Sequence, residues 1–322
     1  MSSGFLALMA FAPILLAGIL LIGLRWPARR AMPLVYLLSA GIALFVWDMS
    51  FNRVLASTLQ GLVVTVGVLW IIFGAILLLN TLKHSGGITA IRAGFTTISP
   101  DRRIQAIIIA WLFGCFIEGA SGFGTPAAIA APLLVAIGFP AMAAVLMGML
   151  VQSTPVSFGA VGTPIIVGVN TGLDHAVIGE QLAAAGSSWD AYLQLITSQV
   201  AIVHALVGTA MPLVMVIMLV RFFGQDRSWR AVFGVLPFAL FAGVSMTIPY
   251  VLGGVFLGPE FPSLIGGLVG LAIVTTAARA GFLVPKRQWD FAPRDSWPAA
   301  WMGTVEMKLE ELTARPMSSF RA

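Results

Sequence analysis

Long apolar runs separated by short charged segments dominate the pattern of hydrophobic and polar positions along this chain. The runs lie at about 4–24, 31–47, 59–82, 104–169, 199–220, 231–250 and 263–281. Several of them are long enough to cross roughly 30 Å of hydrocarbon as helices, and the alternating pattern of a membrane barrel does not occur. The pattern therefore predicts an all-α, polytopic helical membrane protein.

The composition agrees with this class. Hydrophobic residues make up 59% of the chain and charged residues only 10%, which excludes a water-soluble domain. The net charge of +5 could indicate nucleic acid, but the Lys and Arg residues cluster in short segments between apolar runs, as membrane orientation requires. We therefore expect a lipid bilayer as partner and no nucleic acid. The single cysteine, Cys115, excludes an intrachain disulfide.

The charged segments alternate in sign along the chain. Every basic residue except Arg53 lies in one of four segments, at 25–30, 83–103, 221–230 and after 278. The complementary segments carry Asp48, Asp174, Glu180, Asp190 and Glu260. The positive-inside bias then predicts an N-terminus outside and a C-terminus in the cytoplasm. Because the first positive charges follow the first apolar run, we expect a retained first helix and no cleaved signal peptide.

The central stretch, residues 104–169, is the most informative part of the chain. Its only formal charge is Glu118, and runs rich in Gly, Ser, Thr and Pro interrupt it at 118–126 and 152–164. Because it joins a basic segment to an acidic one, it must cross the membrane an odd number of times. We expect three crossings, or one broken crossing plus a re-entrant hairpin, hence about nine crossings in the chain or seven plus the hairpin. Discontinuous helices are predicted near 119–125 and 153–163.

Helix breaks at membrane depth indicate a binding site. They are tolerated only where protein or water satisfies the freed backbone groups, and secondary transporters build substrate sites in this way. Thr125-Pro126 and Thr163-Pro164 each predict an N-cap followed by proline at the first helical position, with free N–H groups that suit a small carboxylate. The alternative is a pair of surface turns or proline kinks. The shared motif, Phe-Gly-Thr-Pro against Gly-Thr-Pro, is too short to establish a repeat.

The predicted substrate- and ion-binding residues lie at the two breaks, with one histidine on a later apolar run. They are Glu118, Gly119, Ser121, Gly122, Gly124, Thr125, Gln152, Ser153, Thr154, Gly162, Thr163 and His204. No metal or cofactor is needed for this chemistry.

Glu118 is the most specific of these candidates, because it is the only charged residue in the central stretch. An isolated carboxylate in hydrocarbon is costly, so it should be protonated, hydrated or paired. Our hypothesis is that Glu118 carries a proton across the membrane; the alternative is an acid at headgroup level. His204 is either a relay partner for Glu118 or a neutral interhelical hydrogen bond.

An alternative prediction is that this protein is an enzyme. Gly119-Ala-Ser-Gly122 matches the Gly-x-Ser-Gly of rhomboid-type intramembrane serine proteases, with Ser121 as nucleophile and His204 as base. This alternative leaves Glu118 and the second break unexplained, so we favour a transporter, not an enzyme. A non-transporting membrane subunit is a third possibility.

Four segments of this sequence resemble the L-lactate permease family of bacterial 2-hydroxy-acid transporters. They lie at 99–105, 113–126, 154–166 and 258–262. The resemblance implies proton-coupled uptake of lactate, and in some members glycolate, across the inner membrane, with H⁺ favoured over Na⁺.

Members of that family are longer, so the resemblance covers roughly their N-terminal half to two-thirds. We expect a truncated chain, one half of a split transporter or a degenerate copy, and a second half-transporter chain or a homo-oligomer as the possible partner. Within the chain, 1–285 is predicted as the transport domain and 286–322 as a cytoplasmic linker.

Overall fold

The computed structural model describes residues 3–87, Gly94 and residues 98–302. These residues form helices joined by turns and loops. Seven of the helices are long and apolar enough to cross a membrane, and one bent helix pair raises the number to eight. The prediction of a polytopic helical membrane protein is confirmed.

The helices of the first half of the chain are α1 (Ser3–Gly18), α2 (Ala28–Phe45), α3 (Phe51–His84), α4 (Arg102–Ser121), α5 (Thr125–Ala136), α6 (Ala141–Ser153) and α7 (Val156–Gly172). Those of the second half are α8 (His175–Ala184), α9 (Trp189–Gly208), α10 (Met211–Phe223), α11 (Trp229–Phe233), α12 (Leu236–Phe256), α13 (Pro262–Arg279) and α14 (Ala299–Met302).

The chain contacts divide it into two compact units, Met1–Trp70 and Ile71–Ala322. In the first unit the apolar side chains are mostly exposed, as in helices that face hydrocarbon. A groove of about 560 Å³ lies between its α2 and α3 segments, where the Tyr36 and Thr58 hydroxyls are hydrogen-bonded at 2.7 Å. None of the residues that line this groove belongs to a predicted break.

Helix α4 forms the centre of the second unit. Nearly all of its residues are buried, and α5, α6, α10, α12 and α13 pack around it. Its middle, Ala106–Phe113, is a π-helix, a widened form that is frequent at functional sites. Helix α4 is therefore enclosed by other helices, in contrast to the more apolar α1, whose spanning window is only 6% buried.

The N-terminal end of α4 is fixed by a polar cluster. Asp101 caps the helix by accepting from the Arg103 N–H at 2.9 Å, and the buried Arg103 guanidinium pairs with the Asp101 carboxylate at 2.5 Å. Arg103 also donates to the carbonyls of Ala231 and Arg287. Because an unpaired buried charge is destabilising, this cluster must form as a whole.

The same cluster holds the described part of the C-terminal segment. The Trp289 N–H donates to Asp101 at 3.1 Å, its carbonyl accepts from the Arg102 N–H at 3.1 Å, and Arg102 pairs with Asp290 at 2.9 Å. Trp289 and Trp301 also pack on the core. Trp289, Phe291 and Trp301 therefore anchor this segment, most of the other residues in 287–302 are exposed, and 303–322 lie outside the described residues, so the linker stays a prediction. The domain boundary at 286 stays a prediction.

The course of α4, α5 and α6 brings the two breaks together. Helix α5 returns along α4, so that the carbonyl of Ile137 accepts from Arg102 at 2.5 Å. Helix α6 runs back beside α5 and is followed, after a bend of 68°, by α7. The break between α4 and α5 and the break between α6 and α7 therefore lie at the same end of this helix group.

Glycines allow α4 to approach α13 closely. A methyl group on Gly267 would lie 2.6 Å from the Phe116 nitrogen, and one on Gly119 would lie 2.8 Å from the Leu264 nitrogen. Small residues at such crossings are typical of membrane helix pairs, where packing drives association. This contact fixes the part of α4 that carries Glu118.

We expect Gly267→Ala to destabilise the protein by about 1–3 kcal/mol, because the new methyl group collides with the α4 backbone, which cannot move aside. Thermal unfolding of the purified protein in detergent measures the effect. Gly179→Ala is the control, since nothing lies within 4 Å of its new methyl group, and alanine favours the helix. Equal midpoints for the two variants would contradict the close approach.

Candidate functional site

The first break is a left-handed turn between α4 and α5. Gly122, Phe123 and Gly124 have φ angles of +61°, +53° and +76°. The turn is closed by the Thr125 hydroxyl and N–H, which donate to the Gly122 carbonyl at 2.5 Å and 3.0 Å. Non-glycine residues enter this region at a cost of roughly 1–2 kcal/mol, so the conformation of Phe123 is strained.

The second break extends from the bend between α6 and α7 into the first turns of α7, where three consecutive residues also have positive φ angles. Ala160, Val161 and Gly162 have φ angles of +44°, +56° and +78°, and the Thr163 hydroxyl donates to the Ala160 carbonyl at 2.6 Å. A positive φ in the β-branched Val161 is a genuine outlier. Three residues of positive φ followed by Thr-Pro therefore occur twice, although Gly122 and Ala160 differ in ψ, at −157° and 54°.

The two breaks touch each other. A methyl group on Gly122 would lie 2.8 Å from both the nitrogen and the Cβ of Ala160, so only glycine fits at position 122. The side-chain amide of Gln152 lies beside the first break, with Oε1 at 3.7 Å from the place of a Gly124 methyl group. The loop before α13 covers the second break, where a methyl group on Gly162 would lie 2.5 Å from the Pro259 carbonyl oxygen.

Glu118 lies under this contact and is only 2% exposed. Its carboxylate lies near the Gly124 N–H of the first break, and its Oε1 lies 3.0 Å from the place of a Gly159 methyl group at the second. Its Oε2 is buried without a hydrogen-bond partner among the described residues. A buried polar atom without a partner is unusual and marks a functional group or an unseen water or ligand.

Side chains from three later helices satisfy the carbonyls that the second break frees. The Thr154 carbonyl accepts from His204 Nδ1 at 2.7 Å and from the Tyr250 hydroxyl at 3.0 Å. The Pro155 carbonyl accepts from the Ser263 hydroxyl at 2.9 Å. Because these groups are buried, each unsatisfied carbonyl would destabilise the fold.

His204 belongs to the second break and not to Glu118. Because a carbonyl only accepts, Nδ1 carries a hydrogen, and in the neutral ring Nε2 accepts from the Ser157 hydroxyl at 3.3 Å. Of the two predicted roles, the contacts favour the interhelical hydrogen bond. Thr154 has a further feature, since its hydroxyl is buried without a partner among the described residues.

The hydroxyls of Ser121 and Ser153 face their own helices. Ser121 donates to the Ile117 carbonyl and Ser153 to the Leu150 carbonyl, each at 2.8 Å. Nothing in these contacts supports the rhomboid-type alternative, because Ser121 and His204 bond separate partners among the described residues.

The predicted N-cap position is confirmed at Thr163, directly before Pro164, and is wrong at Thr125, which lies inside α5. Neither threonine caps its helix with its side chain: the N-cap of α5 is Gly124, and the Thr125 and Thr163 hydroxyls turn back to the carbonyl three residues earlier. The left-handed residues before each threonine bring that carbonyl within reach. At the first break the Thr125 N–H is used by the turn, so this group is not free for a ligand.

Four residues of the site were not predicted from the sequence: Gly159, Ala160, Tyr250 and Ser263. Gly159 and Ala160 lie inside the predicted second break, so their position in the sequence could have identified them as site residues. Tyr250 and Ser263 are separated from their carbonyl partners by 96 and 108 residues, and no local pattern identifies them.

Comparison with known proteins assigns this arrangement to a family. The statistical description of the L-lactate permease family matches residues 6–314. The L-lactate permease of Salmonella typhimurium is 33% identical over 271 residues, which are 84% of this chain and 45% of that protein. The L-lactate permease of Bacillus subtilis is 32% identical over 255 residues, 78% of this chain and 40% of the relative.

A relative that is named for a different substrate also matches. The glycolate permease of Escherichia coli is 30% identical over 270 residues, which are 83% of this chain and 44% of that protein. This chain thus spans less than half the length of these curated relatives. No solved structure matches it.

We expect the two donors to Thr154 to be energetically coupled. Tyr250→Phe or His204→Leu alone leaves the carbonyl one partner, whereas the double variant leaves it none and should lose about 1–3 kcal/mol beyond the sum of the single effects. Thermal or denaturant unfolding of the four proteins measures the coupling.

The matched control combines His204→Leu with Tyr192→Phe, on the same helix α9 but outside these bonds. Additive effects are expected there. Additivity in the Tyr250 pair as well would contradict a shared carbonyl partner.

Proposed function

Because this chain belongs to the L-lactate permease family, we propose that it is a secondary active transporter that takes up lactate or a related small 2-hydroxy monocarboxylate together with a proton. In this proposal, the substrate and the proton bind at the contact between the two helix breaks. The buried Glu118 oxygen without a partner carries the proposal, because it is the feature that transport chemistry explains and helix packing does not.

The proton role follows from the surroundings of Glu118. The described residues place no cationic partner within salt-bridge distance of it, since their ion pairs join Arg102 to Asp290 and Arg103 to Asp101. A buried, unpaired carboxylate is strongly unfavourable, and a bound proton removes that charge. The carboxyl is therefore neutral when it is enclosed and gives up its proton when the breaks open to water.

The substrate role follows from the polar groups around the same contact. The amide of Gln152 lies beside the first break and can bond a substrate carboxylate or hydroxyl. The hydroxyl of Thr154, which has no partner among the described residues, faces Gly208 of α9 and is a second candidate. The unwound backbone accompanies them in place of lysine or arginine, which do not occur between residues 104 and 169. This arrangement is typical of transporters that bind at discontinuous helices.

The relatives provide the substrate class. Those compared here are named for L-lactate and for glycolate, which differ by one methyl group. We place the protein in the bacterial inner membrane with the N-terminus outside, on the distribution of its basic residues.

A second candidate function is a half-transporter that needs another chain or copy to complete its path. The length of the relatives favours it, since the matched part is 45% of the Salmonella protein. Uptake by the isolated chain distinguishes the two candidates: rescue of an inactive chain by a co-expressed second half would support the half-transporter.

We expect Glu118→Gln to abolish accumulation of labelled lactate driven by an imposed pH gradient, because the amide cannot release and rebind a proton. Exchange of internal for external lactate should persist, since it needs no net proton movement. Uptake and exchange into proteoliposomes measure both. The exposed Glu180→Gln is the control and should leave both unchanged. Normal gradient-driven accumulation by Glu118→Gln would refute the carrier role.

Gly159→Ala tests the same carboxyl without removing it. The added methyl group would lie 3.0 Å from Oε1, and alanine is compatible with the backbone of Gly159, whose φ and ψ are −69° and 158°. We expect slower lactate uptake with little change in the unfolding midpoint, because the carboxyl group must shift. Unchanged uptake would indicate that the position of this carboxyl is not critical.

A further inference from the structure

The tip residues of the two breaks, Phe123 and Val161, are strained and yet exposed. Their φ angles are +53° and +56°, and their side chains are 50% and 44% exposed. Glycine would adopt this backbone without strain. Both tips have a glycine as their next residue, so the chain uses glycine in these turns but not at these two positions.

Packing does not explain the choice of large apolar side chains there. Ala160, the other strained residue of the second break, is buried against Gly122 and so has a structural reason for its side chain. Phe123 and Val161 leave about half of their surface free. Strained residues of this kind cluster at ligand clamps and switch regions, where the surrounding structure holds them for a purpose.

Phe123 and Val161 occupy equivalent positions beside the contact between Gly122 and Ala160. Each directly follows a member of the Gly122–Ala160 contact, and each comes two residues before a threonine that closes its turn. The polar groups Gln152 and Glu118 lie on the same contact. The contact therefore combines polar groups with two exposed apolar side chains.

A small 2-hydroxy acid needs both kinds of surface. Its carboxylate and hydroxyl require polar partners, whereas the substituent on C2 is a methyl group in lactate and a hydrogen in glycolate. We propose that Phe123 and Val161 are the specificity-determining residues of the site, that they pack against the C2 substituent, and that they favour lactate over glycolate. This inference rests on the proposed transport function.

The test is the ratio of lactate to glycolate uptake by the full chain in proteoliposomes, with binding to the detergent-solubilised protein as a second measurement. We expect the wild type to prefer lactate. Phe123→Gly and Val161→Gly should each lower that preference about fourfold, the value of one buried methyl group. Their unfolding midpoints should stay equal or rise, because glycine relieves the strain. Phe123→Leu and Val161→Ile should keep most of the preference.

Leu283→Gly is the matched control. Leu283 is also apolar, has a φ of +57° and is 40% exposed, but it lies after α13, outside both breaks. Its replacement should leave the ratio unchanged.

The outcomes separate the two proposals. A wild type that neither transports nor binds either acid refutes the proposed function. A wild type that transports, together with glycine variants of unchanged ratio, refutes only the specificity role. Equal losses for both acids, or a wild-type preference for glycolate, would also overturn that role.

Discussion

The structure depends on one constraint: backbone polar groups that leave a helix inside an apolar core must find new partners. At the second break the Thr154 and Pro155 carbonyls find them on α9, α12 and α13, through His204, Tyr250 and Ser263. An irregular segment is thereby tied to three separate helices. The site can be unwound only because its surroundings supply these donors, so the break and the helices around it stabilise each other.

Much of the architecture could be predicted because it follows from local residue properties. Apolar runs set the helices, and clusters of glycine, threonine and proline set the breaks, since glycine permits positive φ and proline removes a donor. The lone Glu118 could be identified because a single charge in an apolar run is costly wherever the run is buried.

The partners within the site could not be predicted in the same way. The choice between a hydroxyl that bonds its own helix, as in Ser121, and one that crosses to another segment, as in Ser263, depends on tertiary neighbours. The threonine hydroxyls were expected to accept from backbone N–H groups, but they donate to carbonyls, because the positive-φ residues before them were not foreseen. Local capping rules assume that a helix begins after extended backbone, and here it begins after a left-handed turn.

The two arginines at the start of α4 are in different electrostatic states before and after folding. The positive-inside rule acts on the nascent chain, in which Arg102 and Arg103 are still free cations that resist translocation. In the folded protein both are neutralised, Arg102 by Asp290 and Arg103 by Asp101. The same two arginines thus carry part of the basic charge on which the proposed orientation rests and also bond the start of α4 to its surroundings; lysine could supply the charge but not the forked hydrogen-bonding geometry.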